Sequence, residues 1–204
     1  MRVTVIDYKA GNLASVMKAL VHLGAEPQVT DAAPSMIEAA ERIVLPGVGH
    51  FAATKRLDES GMTAAIRDAI VRGVPFLGIC VGMQWLFKGS SEEPGHPGLG
   101  CFSERCTRFP HAGVKVPHVG WNSIGTRDRA RLFAGIEDGS FVYFTHSYKA
   151  PVTPDTAAIT NYIEPFAAAV ERDNVMGVQF HPEKSGEVGL QILRNFLAWE
   201  KRGC

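Results

Sequence analysis

The stretch Phe76-Leu77-Gly78-Ile79-Cys80-Val81-Gly82-Met83-Gln84-Trp85 begins as an apolar run and continues with helical spacing. Cys80 falls where a buried strand would turn into a helix, and such a turn needs neighbours with almost no side chain, which Gly78 and Gly82 supply. The thiol would lie at the positive end of the helix that starts near Val81, where the reactive thiolate is favoured. The stretch predicts a cysteine nucleophile on an elbow; the alternative it leaves open is an inert core cysteine.

The composition is that of an ordinary globular chain of 204 residues, with 46% hydrophobic and 21% charged residues. This length suffices for one full hydrophobic core, so we expect a single domain over residues 1–204. Lysine plus arginine equals aspartate plus glutamate at 21 each, which leaves no formal net charge. A nucleic-acid or acidic-membrane partner is therefore not expected.

The first residues and the cysteines indicate the compartment. Residues 1–7 read as a strand without a charged leader, and no apolar run approaches the length of a membrane span. The cysteines are Cys80, Cys101, Cys106 and Cys204. In a chain without a secretion signal they are expected to be reduced thiols. We therefore predict a cytoplasmic protein.

Two groups of residues bear on metals and cofactors. Cys101 and Cys106 have histidines nearby, but their spacing exceeds that of structural zinc sites and Gly-Pro turns intervene. The loop at 8–12 lacks the glycine spacing of a dinucleotide-binding fingerprint, and the chain has no Gly-x-x-x-x-Gly-Lys-Ser/Thr phosphate loop. The sequence predicts neither a metal nor a cofactor.

The alternation of strand and helix patterns indicates the fold class. In the first half, with helical patterns between them, strands are predicted at 3–7, 26–29, 43–45 and 74–79. In the second half, short strands are predicted at 141–145, 156–160, 166–171 and 176–180. We predict an α/β three-layer sandwich with a mostly parallel central sheet, plus an antiparallel strand extension in the second half. Ser35 and Ser185 are expected to cap helices, and the turn-rich segment 89–100 to be a surface loop.

A proton acceptor for Cys80 follows the last predicted strand. A cysteine nucleophile needs a base, and the base needs a third group that fixes its tautomer. His181 and Glu183 fit these roles, because Pro182 between them stiffens the turn and lets the carboxylate accept from the imidazole. A surface His-Pro-Glu turn is the alternative. Cys80 and the segment Pro46–Gly49 both follow strands of a parallel sheet, so they are expected at the same edge.

Backbone amides are the expected partners for the oxyanion formed when Cys80 attacks an acyl group. The Val81 N–H, next to the nucleophile, is one candidate. The other lies in the oxyanion segment Gly47-Val48-Gly49, where glycines on both sides of Val48 let a peptide unit approach the substrate or flip. An ordinary turn after a strand is the alternative interpretation.

The assembled motif resembles a known family. Gly78-Ile79-Cys80-Val81-Gly82-Met83-Gln84, followed about a hundred residues later by His181-Pro182-Glu183, resembles the class I glutamine amidotransferases over essentially the full chain. The resemblance implies hydrolysis of the side-chain amide of glutamine to glutamate and ammonia. It also implies that Cys80 forms a glutamyl thioester, that His181 shuttles protons and that Glu183 orients His181.

Further stretches resemble the branch of that family that forms the glutaminase subunit of imidazole glycerol phosphate synthase. They are Ile6-Asp7-Tyr8 with Gly11-Asn12-Leu13, Pro46-Gly47-Val48-Gly49-His50-Phe51, Lys115-Val116-Pro117-His118-Val119-Gly120-Trp121-Asn122 and Tyr143-Phe144-Thr145-His146-Ser147-Tyr148. The resemblance implies a heterodimer with a cyclase subunit, a (β/α)8 barrel, which uses the ammonia to make imidazole glycerol phosphate and AICAR in histidine biosynthesis.

The same resemblance implies further roles, residue by residue. Those that would hold the glutamine are Gln84 and the backbone of His146, Ser147 and Tyr148. Those that would lie at the cyclase interface are Asn12, Pro117, Trp121 and Lys184. We expect the free chain to be poorly active until the partner favours a flipped Val48 peptide.

Three rival functions stay open from the sequence. A cysteine peptidase or γ-glutamyl hydrolase shares the elbow and needs no ammonia-accepting partner. A non-catalytic scaffold with a vestigial triad is a second rival, against which the intact Cys80, His181 and Glu183 argue. The glutaminase subunit of a pyridoxal-phosphate synthase is the nearest relative to distinguish, and the Trp121 segment argues against it.

Overall fold

The computed structural model describes residues 1–10, 13–111, 113–127 and 130–200. Within these ranges the strands are β1 Arg2–Ile6, β2 Glu26–Thr30, β3 Ile43–Gly47, β4 Phe76–Cys80, β5 Thr107–Arg108, β6 His118–Ser123, β7 Gly125–Thr126, β8 Phe141–His146, β9 Tyr148–Lys149, β10 Thr156–Tyr162, β11 Glu164–Arg172 and β12 Val175–Val178. The α-helices are α1 Leu13–His22, α2 Pro34–Glu38, α3 Lys55–Glu59, α4 Met62–Val71, α5 Val81–Trp85 and α6 Gly186–Leu197. Short 3-10 helices lie at Phe51–Thr54, Arg131–Phe133 and Pro182–Lys184.

An eight-stranded sheet forms the centre, with the order β2-β1-β3-β4-β12-β11-β10-β7. The neighbouring strands β2, β1, β3, β4 and β12 pair in parallel. On the other side of β12, the strands β11, β10 and β7 extend the sheet by antiparallel pairing. Every residue of β3 and β4 is buried, as expected for central parallel strands covered on both faces. The predicted α/β class, with a mostly parallel sheet and an antiparallel extension, is confirmed.

The predicted strand at 141–145 has a different partner from the one expected. It forms β8, which pairs antiparallel with β6 in a separate two-stranded sheet and not with the extension of the central sheet. The sequence did not predict β6 as a strand, because Gly120 interrupts its pattern with a φ of 135° and its apolar residues Val119 and Trp121 are exposed. The β6–β8 ribbon therefore presents apolar side chains to the outside.

The two serines expected to cap helices do not act as caps. Ser35 lies inside α2, which begins at Pro34 after the N-cap residue Ala33. Ser185 stands at the N-cap of α6, but its side chain makes no cap hydrogen bond. Its hydroxyl instead donates to the carbonyl of His181 at 2.7 Å and accepts from the Tyr143 N–H at 3.0 Å. Ser185 thus ties β8 to the turn that carries His181.

The elbow at Cys80 depends on glycines that leave no room for a methyl group. A Cβ on Gly82 would overlap the carbonyl oxygen of Leu45 in β3, and a Cβ on Gly78 would come within 2.5 Å of the Gly82 carbonyl oxygen. Real Cβ atoms do not approach backbone atoms so closely. The first turn of α5 therefore packs directly against β3 and β4, and Gly78 and Gly82 are the small neighbours that the predicted turn at Cys80 requires.

None of the helices in the described ranges combines the length and the apolar character that crossing a membrane requires. The longest, α6, has 12 residues and buries one stripe, formed by Gly189, Ile192, Leu193, Phe196 and Leu197. An amphipathic stripe of this kind belongs to a helix packed on a core.

Gly82→Ala is expected to lower the free energy of unfolding by about 3 kcal/mol, because the new methyl group has to displace the Leu45 carbonyl or the helix. The measurement is urea unfolding followed by circular dichroism. Gly95→Ala is the matched control, since a Cβ at Gly95 meets open space, and it is expected to change the value by less than about 0.5 kcal/mol. Equal unfolding midpoints for the two variants would contradict the packing argument.

Candidate active site

The candidate site lies where three neighbouring parallel strands end. Gly47 of β3 is in register with Cys80 of β4, and Val178 of β12 is in register with Ile79. The chain leaves β12 directly into the turn that carries His181. Side chains that follow adjacent parallel strands meet at one edge of the sheet, which is the usual location of a ligand site in such folds.

Cys80 has a backbone conformation that few residues with a side chain adopt. Its φ is 55° and its ψ is −108°, and strain of this kind persists only where the surrounding packing imposes it. The residue is 3% exposed. Its thiol donates to the carbonyl of Thr145 at 3.9 Å and accepts from the side-chain amide of Gln179 at 3.6 Å. The sulfur is therefore held at the base of the site between two polar groups.

His181 and Glu183 form a buried pair beside this sulfur. Nδ1 of His181 and Oε1 of Glu183 are 2.9 Å apart, and each side chain is 1% exposed. Nε2 of His181 is buried and has no hydrogen-bond partner among the described residues. Burial by itself lowers the pKa of His181, but the Cys80 sulfur and the Glu183 carboxylate outweigh it and raise that pKa to about 10. The imidazole thus has a strong affinity for a proton when it faces its two acidic neighbours.

A cavity of about 270 Å³ opens above Cys80. Its lining brings together the residues named from the sequence as nucleophile, oxyanion donors and substrate holders, and it includes Pro117 from the expected interface. The lining residues are Val48, Gly49, Cys80, Val81, Gln84, Glu92, Pro117, Thr145, His146, Ser147 and Tyr148. Gly47 lies just outside this lining, at the end of β3.

The oxyanion segment lies between the end of β3 and the 3-10 helix at Phe51–Thr54. Gly47 is hydrogen-bonded into the sheet as the last residue of β3, and Gly49 has a φ of 105°, which favours glycine. After the segment, His50 caps the 3-10 helix by accepting from the Ala52 N–H at 3.1 Å. Val48 is 38% exposed and lines the cavity. Val48 and Gly49 therefore line the same cavity as the nucleophile.

Glu92 is a cavity residue that the sequence analysis missed. It belongs to the segment 89–100, which was expected to lie at the surface, whereas Ser90, His96 and Leu99 of that segment are buried. Oε2 of Glu92 accepts from the Phe51 N–H at 2.8 Å. No local motif marks Glu92, because its position depends on how a turn-rich loop folds back over the oxyanion segment.

Tyr8 is a second residue that the sequence did not single out for the site. It is 2% exposed, and its hydroxyl is buried without a hydrogen-bond partner in the described part of the chain. The hydroxyl lies so close to Gly47 that a Cβ there would overlap it. Burial and the charge of the Cys80 sulfur raise the pKa of Tyr8 well above its ordinary value, which keeps the hydroxyl neutral.

A buried histidine pair supports the far wall of the cavity. Nδ1 of His146 bonds to the Tyr148 carbonyl at 2.8 Å, and Nε2 of His146 lies 3.2 Å from Nδ1 of His118. Nε2 of His118 faces the Asn122 amide at 3.3 Å. Burial lowers the pKa of His118 to about 4 and that of His146 to about 3. Both rings are therefore neutral near pH 7.

Two residues expected at the partner interface, Trp121 and Lys184, both contact the ring of Tyr143. Trp121 is 56% exposed on β6, stands opposite Tyr143 of β8, and its ring centroid is 6.1 Å from that of Tyr143. Lys184 extends over the same Tyr143 ring, with Nζ 5.8 Å from its centroid. The predicted contact Asn12 lies outside the described residues. Within those residues, no three His, Cys, Asp or Glu side chains group closely enough to hold a metal ion.

Comparison with known proteins decides the family. The family model "Glutamine amidotransferase class-I" matches residues 4–199. The chain belongs to the class-I glutamine amidotransferases. This amidotransferase is 49% identical over 200 residues to the imidazole glycerol phosphate synthase subunit HisH of Thermococcus kodakarensis, covering 95% of this chain and 98% of that protein. It is 44% identical over 201 residues to the protein of the same name in Aquifex aeolicus, covering 96% of each. The resemblance inferred from the motifs is confirmed.

Solved structures share the fold of this amidotransferase. A crystal structure of a glutamine amidotransferase superposes with a TM-score of 0.75 at 20% identity, covering 96% of both chains. The structure of PurLQS from Thermotoga maritima gives a TM-score of 0.72 at 21% identity, covering 96% of this chain and 97% of that one. These likenesses agree with the α/β architecture described above.

Acidification is expected to destabilise the amidotransferase through its buried histidine pair. The pKa of His118 falls from an ordinary 6.5 to about 4 in the folded state, so between these pH values the unfolded chain binds a proton that the folded chain does not. The free energy of unfolding therefore falls as the pH falls through this window. In His118→Phe, the decrease in the free energy of unfolding between pH 7 and pH 4 is expected to be smaller than in the wild type by on the order of 2 kcal/mol.

The measurement is urea unfolding at pH 7, 5.5 and 4. His22→Phe is the matched control, since His22 is an exposed histidine on α1, and it is expected to keep the wild-type pH dependence. If the His118→Phe curve ran parallel to the wild-type curve, His118 would not carry the acid sensitivity.

Proposed function

We propose that this amidotransferase is the glutaminase subunit of an imidazole glycerol phosphate synthase. It hydrolyses glutamine to glutamate and ammonia and passes the ammonia to a cyclase subunit that makes imidazole glycerol phosphate and AICAR in histidine biosynthesis. The observation that carries the proposal is the strained Cys80 at the base of an open cavity, together with the buried His181–Glu183 pair beside it. The names of the relatives at 44–49% identity support the choice of pathway.

The reaction divides into two acyl transfers. Cys80 Sγ attacks the side-chain carboxamide carbon of glutamine, and its proton passes to Nε2 of His181, which is buried and unpartnered in the described part of the site. His181 then gives this proton to the departing nitrogen, so that the C–N bond breaks, ammonia leaves and a glutamyl thioester remains. A water molecule, deprotonated by His181, attacks the thioester and releases glutamate and the Cys80 thiol.

Glu183 keeps the imidazole in the tautomer that this reaction needs. The carboxylate accepts from Nδ1 at 2.9 Å, which directs Nε2 toward the nucleophile and stabilises the imidazolium when it forms. The raised pKa of His181 fits a base that takes up the thiol proton and holds it until the amine departs.

Backbone amides stabilise the tetrahedral oxyanion in this scheme. The Val81 N–H opens α5 next to the sulfur, and the oxyanion segment Gly47-Val48-Gly49 supplies the second donor from β3. In the free subunit we expect the Val48 peptide to present its carbonyl, and the partner to favour the flipped peptide. The φ of 105° at Gly49 supports a peptide that can rotate, since glycine crosses these conformations without a steric penalty.

The glutamine lies between Gln84 and the 146–148 backbone in the proposed complex. The side chain of Gln84 already donates to the Tyr148 carbonyl at 3.0 Å, which keeps this wall in position. Glu92 is the acidic side chain of the cavity lining, and one of its oxygens is engaged by the Phe51 N–H. We assign the α-ammonium group of glutamine to Glu92, because a cation is stabilised by a carboxylate that is already fixed.

The cyclase, a (β/α)8 barrel, would contact Pro117, Trp121 and Lys184 to give a heterodimer, and the family resemblance adds Asn12 as a further contact residue. Pro117 lines the cavity, so a partner seated there would also cover the site. Free ammonia is mostly protonated near neutral pH, and a sealed interface keeps it nucleophilic. We place this heterodimer in the cytoplasm and treat residues 1–204 as one amidotransferase domain.

Cys80→Ala is expected to lower glutamine hydrolysis by at least about 10⁴-fold, because Cys80 is the only thiol among the described residues that line the cavity. The assay measures glutamate release by the chain mixed with the cyclase subunit under turnover. Cys101→Ala is the matched control, since Cys101 is a partly buried thiol outside the cavity lining, and its activity is expected to stay within about twofold of wild type. Activity that persists in Cys80→Ala would remove Cys80 from its role.

Trp121→Ala is expected to weaken binding of the cyclase by about 30-fold or more, as for other exposed tryptophans at the centre of interfaces. Titration calorimetry with the purified cyclase subunit measures this change. Val71→Ala is the control, because Val71 is 80% exposed on α4, and it should leave the affinity unchanged. Equal affinities for both variants would exclude the β6–β8 edge as the docking surface.

A further inference from the structure

Gln179 has no role in the scheme above, yet its side chain reaches the nucleophile. It directly follows β12 and is completely buried, with 0% exposure. Its Nε2 lies 3.6 Å from Cys80 Sγ, a hydrogen-bond distance for an atom as large as sulfur. A buried amide that faces a reactive thiol either stabilises the thiolate or opposes it, depending on which end of the amide points at the sulfur.

The hydrogen bonds of the neighbouring Gln84 determine which end of the Gln179 amide points at the sulfur. Its side-chain nitrogen lies 3.0 Å from the Tyr148 carbonyl oxygen, and a backbone carbonyl can only accept. The NH₂ group of Gln84 must therefore point toward Tyr148. The same nitrogen lies 3.0 Å from Oε1 of Gln179, so its second proton meets the oxygen of Gln179. The NH₂ group of Gln179 is then left to face Cys80.

The Tyr148 carbonyl is itself fixed from a second side. Nδ1 of His146 bonds to it at 2.8 Å, and because the carbonyl accepts, this nitrogen must carry a proton. Burial lowers the pKa of His146 to about 3, so the ring stays neutral and keeps this one tautomer near pH 7. Two donors thus converge on one backbone oxygen, and neither can reverse its direction.

We propose that Gln179 is a catalytic residue, which donates an N–H to the sulfur of Cys80 and favours the thiolate, with its orientation set by Gln84 and the Tyr148 carbonyl. When Cys80 is a thiol, its own proton is directed at the Thr145 carbonyl. Once that proton has moved to His181, the Gln179 N–H remains as a donor to the anion. Hydrogen bonds to the charged form are those that favour ionisation.

This inference rests on the proposed function for its catalytic meaning, but its test does not require turnover. The rate at which iodoacetamide alkylates Cys80, followed by mass spectrometry of the full-length chain, rises with the thiolate fraction and gives a midpoint on the pH axis. His181, Glu183 and Tyr8 also surround the sulfur and are unchanged between wild type and variants. A difference in midpoint therefore reports the group at position 179.

Gln179→Met keeps the shape of the side chain and removes the donor, and it is expected to raise the alkylation midpoint by about one pH unit. Gln179→Glu puts a carboxylate beside the sulfur and is expected to raise the midpoint further. In the complex with the cyclase, Gln179→Met is expected to lower kcat roughly tenfold while KM for glutamine stays within about twofold. Gln28→Met, at an exposed position of β2, is the matched control and should match wild type in all three measurements.

A folded Gln179→Met variant with a wild-type midpoint would overturn the proposal, since a merely structural glutamine alters stability without moving the pH profile. If neither variant folds, the side-chain amide resonance of Gln179 in the wild-type chain decides: it is expected to shift with pH at the alkylation midpoint, and a resonance that does not shift overturns the proposal. Loss of activity in Cys80→Ala with no effect of Gln179→Met would reject this inference alone. Activity that persists in Cys80→Ala would reject the proposed function.

Discussion

The approach of Gly82 to the carbonyl oxygen of Leu45 is the contact on which the site depends. Because the two backbones touch without an intervening side chain, α5 starts directly at the end of β4, and Cys80 is forced into its strained conformation at a φ of 55°. Any larger residue would lift the helix and move the thiol away from His181. The strain at Cys80 is thus maintained by close packing of the central strands β3 and β4, which are buried along their whole length.

The direction of several hydrogen bonds beside the site is set by a single acceptor, the carbonyl of Tyr148. The carbonyl of Tyr148 cannot donate, so every polar side chain that bonds to it must present hydrogen. This condition orients Gln84 and His146 and, through His146, the ring of His118, which must carry its proton on Nδ1. The hydrogen-bond network around the Tyr148 carbonyl therefore has one arrangement of protons near pH 7, and the low pKa values of His118 and His146 preserve it.

The sequence predicted the parts of the site that depend on local pattern. The glycines around Cys80, the His181-Pro182-Glu183 turn and the alternation of strands with helices could all be predicted, because each depends on a pattern within a short stretch of sequence. The β6–β8 ribbon was not, since Gly120 breaks its alternation and its partner lies far along the chain. Glu92 and Gln179 were missed for a related reason: their roles arise from contacts across 41 and 99 residues, which no local motif records.

The position of β12 in the sheet determines the stage of folding at which Cys80 can become reactive. This strand lies between β4 and β11, and it brings Gln179, His181 and Glu183 to a cysteine that was synthesised about a hundred residues earlier. Pairings so distant in the chain form late. During synthesis Cys80 therefore has no base beside it. It can act as a nucleophile only after β12 has inserted between β4 and β11 and brought His181 to the sulfur.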